Sequence, residues 1–184
     1  HYANPEKLLA QVIEIMPKGI DLEYAGSYEA MFSYKAKNYA LRKGSDMIIR
    51  GSALRSRGIE PYLIDLTNTL IQHRLGFNVE SPKKIADNYI KEIQYGTFPV
   101  EKLAKSERLS QSPENYERAV KLEKKPRRAS LEVALKMSPP SRMGDKVAYF
   151  IMKTAKKAPD WQRARPLADF SPVSCPYDPT YYID

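Results

Sequence analysis

Near the start of the chain, Leu8, Leu9, Val12, Ile13 and Met16 recur at helical spacing and fall on one face. Asn4-Pro5 supplies a cap and a proline for the first turn, and Pro17 with Gly19 stops the run. The period then changes to two. Ile20, Leu22 and Tyr24 alternate with Asp21 and Glu23, which predicts a strand with apolar side chains on one face and acids on the other. Ala25-Gly26-Ser27 predicts a turn, and SYEAMFSY a second strand. NYALR and MIIRG flank Lys43-Gly44-Ser45-Asp46, a hairpin loop. The expectation is one helix and about four short antiparallel strands.

After Gly58 the pattern becomes helical. Leu63, Leu66, Leu70 and Ile71 share a face in a segment that finishes at Gly76, with His73 late in it as a surface or packing residue. Ser81-Pro82 opens a second helix with Ile85, Tyr89 and Ile93 inside, closed by Gly96. Ser112-Pro113 opens a third, and LEVALKM predicts a fourth. GDKVAYFI alternates Val147, Tyr149 and Ile151 and predicts a strand. From Ala158 onward, Pro159, Pro166, Pro172, Pro176 and Pro179 predict an extended tail lying over the surface. There are no internal repeats. The predicted class is α+β, with a boundary near Gly58 between a sheet-rich part, residues 1–58, and a mainly helical part, residues 59–184.

Composition narrows the partners. The chain has 184 residues, 42% of them hydrophobic, which is enough for a real core. A net charge of +8 and a pI near 9.4 point to an anionic partner, nucleic acid first and an acidic membrane surface second. A merely soluble basic protein is the alternative. Cys175 is the single cysteine, which excludes an internal disulfide framework and a thiolate zinc site. His1 and His73 are too few for a histidine metal centre. No stretch approaches the ~20 apolar residues of a membrane span. The start, HYANPEKLL, lacks an initiator methionine and reads as a piece of something longer.

Distribution sharpens the charge argument. Residues 32–58 carry seven Lys or Arg against one acid, Asp46. On a continuous strand Lys35, Lys37 and Tyr39 would share a face, and two ammonium groups with a phenol can donate to phosphate oxygens, sugars or base edges. Binding of that kind is salt-sensitive and tolerant of sequence. A lysine-protected sheet edge is the competing explanation. A second cluster, ERAVKLEKKPRR, has six cations against two acids and suits a solvated helix face.

GIDLEYAGSYEAMFSYKAKNYAL resembles the segment of family B DNA polymerases that follows their catalytic Asp-containing hairpin. There, a strand reading roughly Leu-Glu-Leu-Glu leads into Gly-x-Tyr and then Lys-x-Tyr. RGSALRSRG resembles the exit from the palm, ERLSQSPENY and GDKVAYFI resemble thumb segments, and YDPTYYID matches a Tyr-Asp-x-x-Tyr-Tyr-Ile near the end of the thumb. The words occur in family order from about residue 20 to the last residue.

The resemblance implies a small antiparallel palm sheet with a flanking helix (1–58), then a mainly helical thumb (59–184) ending in the extended tail. Lys37 and Tyr39 take the Lys-x-Tyr positions, which implies contact with the minor-groove side of primer–template duplex near the primer end, where acceptors are common to every base pair. Lys35 is implied as a phosphate contact, with Arg50, Arg55 and Arg57 as phosphate-binding residues at the palm–thumb junction. The lobe after Gly58 is expected to close over Lys37 and Tyr39. Glu23 and Asp21 match an acidic strand beside the polymerase centre, as accessory acids or as ordinary outward-facing ones. Glu107 stands where the family often has Lys, so that of this segment only Arg108 is carried over as a DNA contact. Ala129 and Ser130 stand where a Pro-His often precedes LEVALKM, and any contact from that histidine is lost.

The family's metal-binding aspartate motifs, Asp-x-x-Ser-Leu-Tyr-Pro and Asp-Thr-Asp, and its Lys-rich fingers helix do not occur in this sequence. The resemblance therefore implies Mg2+ for the complete polymerase and none bound by this chain alone. It implies primer–template DNA and the remaining palm, fingers and N-terminal domains as partners, no membrane partner, and a prokaryotic nucleoid, or alternatively a nucleus, as the location. Alone, the chain is expected to bind primer–template without extending it. A non-catalytic DNA-binding protein and a separately encoded polymerase subunit are the alternative readings.

Overall fold

A computed structural model describes residues 4–51, 58–156 and 158–184. It is an α+β fold whose described residues form two three-stranded antiparallel sheets and eight helices. Helix α1, Pro5–Ile15, begins as the sequence predicts: the Asn4 side chain accepts a bond from the Lys7 amide at 3.0 Å, and Pro5 needs no partner for its nitrogen. Its apolar stripe buries no residue, and Ile15 is 82% exposed.

The first sheet follows as β1 (Ala30–Lys35), β2 (Asn38–Lys43) and β3 (Asp46–Arg50) in sequential order. Its register pairs Phe32 with Ala40 and Ala40 with Ile49, so these three share a face. That face packs on Ile71 of α2, Pro61–Arg74, and on Leu75 just after it, forming a small core with Ala40 fully buried at its centre. Arg42 ties the two together. Its guanidinium donates to the carbonyls of Gly76 (2.6 Å) and Leu75 (3.4 Å), pairs with Glu29, and lies 4.6 Å from the Phe77 ring centre.

The predicted strand at Ile20–Tyr24 does not form. Residues 20–28 have no regular structure, and Ile20, Leu22 and Tyr24 stay exposed. Alternation makes a strand only where a neighbouring strand supplies ladder hydrogen bonds, and β1 pairs only with β2 among the described residues. Local bonds organise the segment instead, Tyr24 to Ser27 and Tyr28 to the Ala25 carbonyl.

The larger core gathers around the second sheet, β4 (Lys105–Arg108), β5 (Lys146–Ile151) and β6 (Ala164–Pro166), with β5 in the middle. Helices α3 (Pro82–Tyr95), α4 (Val100–Leu103), α5 (Pro113–Glu123) and α6 (Ala129–Ala134) surround it, and Tyr62 at the start of α2 enters the same core. Val147, Tyr149 and Ile151 are buried as their alternation predicts. Phe150 is buried too, since both faces of a central strand are covered.

The C-terminal segment is not the extended surface tail its prolines suggested. It forms α7 (Asp160–Arg163), β6, a 3-10 turn at Leu167–Asp169 and α8 (Pro179–Ile183), and it places Ala164, Tyr177 and Tyr182 in the core. Pro179 opens α8 and Pro159 precedes α7, so these prolines start elements rather than prevent them. Tyr182 links the layers: its hydroxyl accepts from the Ile151 amide at 2.8 Å, and its carbonyl accepts from the Tyr62 hydroxyl at 2.6 Å.

Candidate nucleic-acid interface

The basic hairpin is real, but its geometry differs from a single strand. β1 and β2 are joined by a tight turn at Ala36-Lys37, so Lys35 ends one strand, Lys37 occupies the turn and Tyr39 lies on the next strand. The one-face argument for Lys35, Lys37 and Tyr39 therefore fails; an abrupt reversal replaced the continuous strand it assumed. Lys37 adopts a left-handed backbone, φ 61°, which is unfavourable for a residue with a Cβ. The turn is held from two sides. The Asn38 side chain donates to the Ala36 carbonyl at 2.8 Å, and Gly51 packs against the backbone of Lys37 and Asn38.

Tyr39 is paired with Ser33 on one side and Arg50 on the other, which puts these three on the face opposite Ala40. That face points away from α2, so Tyr39 does not project toward the first helix of the following lobe as expected. Lys35, Lys37 and Arg50 are exposed, and Tyr39 is half-buried. The open face of the first sheet thus presents a phenol beside a guanidinium, with the Lys37 ammonium at the adjoining turn. Arg55 and Arg57 lie outside the described residues. Glu23 and Asp21 are exposed in the irregular segment, so strand geometry does not place them together.

Arg108 is far along the chain in β4, exposed, and donates one bond to the Gly144 carbonyl at 2.8 Å, leaving other guanidinium donors for a ligand. Glu107, the departure from the family pattern, accepts from the Tyr149 hydroxyl at 2.7 Å. Burial and this carboxylate push the Tyr149 phenol well above the usual tyrosine range.

No protein-family model matches the chain, and no curated protein matches it. Solved structures do. That of the family B DNA polymerase from the hyperthermophilic archaeon Pyrobaculum calidifontis matches with a TM-score of 0.71 at 18% identity, covering 100% of this chain and 23% of the polymerase chain. The chain has the fold of part of a family B DNA polymerase. Among the described residues, no group of three or more His, Cys, Asp or Glu could hold a metal ion, and no helix is long and apolar enough to cross a membrane.

Within this polymerase-like fold, the second basic cluster is an exposed face, as its composition suggests, with two arginines tied to neighbouring elements. Arg127 pairs with Glu132 at 2.8 Å and lies 4.6 Å from the Trp161 ring centre, and Arg128 donates to the Ser110 hydroxyl. Sequence reading also passed over Lys105. It pairs with the buried Glu60 just before α2 at 3.2 Å and donates to the Tyr181 hydroxyl at 3.1 Å. A lysine in KSER carries no signal of this; only the fold brings residues 60, 105 and 181 together.

Proposed function

We propose that this chain is the C-terminal palm (1–58) and thumb (59–184) of a family B DNA polymerase, and that it grips primer–template duplex during DNA synthesis. The observation that carries the reading is the fold match over the whole chain, at a TM-score of 0.71. The Lys-x-Tyr word agrees with it at the level of sequence, and its lysine sits exposed in a braced turn beside an open sheet face. Lys37 and Tyr39 meet the minor-groove edge, whose acceptors are common to all pairs, while Lys35, Arg50 and Arg108 meet phosphates. Arg55 and Arg57 keep their proposed phosphate role from sequence alone. The duplex lies along the open face of the first sheet rather than between that sheet and α2.

Nucleotidyl transfer belongs to the remaining palm and fingers, with Mg2+ held by their aspartates; no step of it is assigned to residues of this chain. The half-buried apolar stripe of α1, together with exposed Ile20, Leu22, Tyr24 and Met31, is the surface against which the remaining palm packs. The nucleoid of a prokaryotic cell is the proposed setting.

The test is fluorescence anisotropy of a labelled primer–template with the chain across a salt series. About five phosphate contacts give a slope of about −4.5 in log affinity against log salt, or roughly five-hundredfold weakening for a fourfold rise in salt. A chain that leaves the duplex unbound, or binds it with no salt dependence, overturns the reading. Template-directed extension by the chain alone would show that the catalytic parts have been assigned wrongly.

A further inference from the structure

A cavity of about 510 Å3 opens on the second sheet, between the end of β5, α7 and α8. Lys153, Lys156 and Arg163 line it, with the hydroxyls of Thr154, Thr180 and Tyr181. Asp178 and Asp184 also contribute, so cations outnumber acids in the lining. Asp178 is already committed: it accepts from Arg163 at 2.6 Å and from the Thr180 amide that it caps. The remaining Arg163 terminal nitrogen is held by Asp160 at 2.9 Å, while its buried Nε has no hydrogen-bond partner among the described residues. Lys153 and Lys156 are exposed at the rim.

A second hollow, of about 340 Å3, adjoins the first. Lys153 lines both, and the chain 176–180 is the wall between them. The lining of this hollow is of another kind: Phe170, Tyr177 and three prolines, Pro172, Pro176 and Pro179, with Tyr95 at its edge. Phe170 stacks on Tyr177, ring centres 6.0 Å apart. Tyr95 is 81% exposed and closes α3. A cavity rimmed by two exposed lysines, one of which it shares with an aromatic groove, fits a ligand with a phosphate next to a flat apolar ring.

We propose that this pair of hollows binds one nucleotide of single-stranded DNA, its phosphate against Lys153 and Lys156 and its base against Tyr95 in the proline-lined groove. The strand must be single because a paired base keeps both faces stacked inside the helix and offers none to a side chain. Stacking of this kind accepts any base, so the site is tolerant of sequence. The proposal rests on the nucleic-acid reading above for its class of partner, but on different residues and a different form of DNA.

The test is anisotropy of a labelled oligothymidylate and of a blunt duplex with the wild type and with Tyr95→Ala, Tyr95→Phe and Lys153→Ala. Both positions are exposed, and circular dichroism verifies that each variant is folded. Tyr95→Ala is expected to weaken oligothymidylate binding about tenfold, with Tyr95→Phe near wild type and the blunt duplex unaffected. Lys153→Ala is expected to flatten the salt slope for the oligothymidylate by about 0.7. An abasic oligomer should bind more weakly and be indifferent to Tyr95→Ala. Unchanged oligothymidylate binding in both alanine variants, equal loss on duplex and single strand, or an abasic oligomer that binds as well as oligothymidylate overturns the proposal. A proline-rich peptide that occupies the groove while oligothymidylate does not overturns it as well. A chain that binds oligothymidylate through Tyr95 but ignores duplex overturns the primer–template reading and leaves this one standing.

Discussion

Replacing Lys37 by glycine should move stability and DNA binding in opposite directions. Lys37 has φ 61°, where a Cβ crowds the backbone at a cost of about 1–2 kcal/mol. Glycine removes that crowding but enlarges the freedom of the unfolded chain, which returns about 0.4–1 kcal/mol. The net expectation is a gain of up to about 1.6 kcal/mol, centred near 1, in folding stability. The same substitution deletes the ammonium assigned to the minor groove, and one charged hydrogen bond lost at about 1.5 kcal/mol weakens duplex binding roughly tenfold. Lys37→Ala is the control: it loses the same contact and keeps the backbone strain. Both variants should therefore bind equally poorly, with glycine the more stable by about 1 kcal/mol. Urea denaturation followed by circular dichroism gives the first quantity, and anisotropy with primer–template gives the second. Glycine and alanine variants of equal stability would refute the strained-turn argument, and wild-type affinity in both would refute the assignment of Lys37 to DNA.

Two further outcomes follow from packing and titration. Gly51→Ala should loosen the same turn without touching a cation: a Cβ there would stand 2.3 Å from the Lys37 carbonyl oxygen and 2.7 Å from Asn38 Cα, whereas at Gly44, also left-handed, it meets nothing within 4 Å. Gly51→Ala is expected to cost about 2–4 kcal/mol and Gly44→Ala about 1 kcal/mol, read as hydrogen exchange in β2 and β3; equal protection in the two variants would refute the close approach. At high pH, Tyr62 is pushed up to about 12, chiefly by burial, and Tyr149 and Tyr182 move the same way. The unfolded state then loses phenolic protons first, so stability holds below pH 10 and falls as pH rises above it, by about 1.4 kcal/mol per pH unit for each such tyrosine. Tyr62→Phe should flatten that fall in pH-dependent thermal melts, and an unchanged profile would refute it.

Local signals of capping and periodicity were legible wherever the element is stabilised by its own neighbours. The Asn4-Pro5 cap, the Lys43–Asp46 loop and the burial of Val147, Tyr149 and Ile151 all follow from residues within a few positions. Strand alternation at Ile20–Tyr24 failed because pairing is a property of two segments, and only one was present in the pattern. Proline misled the reading of the C-terminal segment, because it starts helices as readily as it stops them. The candidate site suffered from the same limit. That Lys35, Lys37 and Tyr39 are close in sequence was visible; the turn between them was hidden, because Ala-Lys is not a usual left-handed turn pair and Gly51, which braces it, comes fourteen residues after Lys37.

Helix α2 connects the two cores. Its last turn, with Ile71, and Leu75 just after it form the core beneath the basic sheet, and Arg42 fastens the sheet to the carbonyls of Leu75 and Gly76. Its first turn places Tyr62 in the larger core, and Glu60 immediately before it pairs with Lys105 of β4. Fourteen residues of helix span about 21 Å. Along a nucleic acid that distance is roughly six base steps at 3.4 Å each. A helix packed at both ends cannot slide or bend cheaply, since either motion would open a core or strand a buried charge. The first sheet and the second sheet are therefore held by one stiff bar, and a cation carried on either keeps its spacing from the other. On the proposed reading, that fixed spacing lets cations on both sheets meet one regular polyanion.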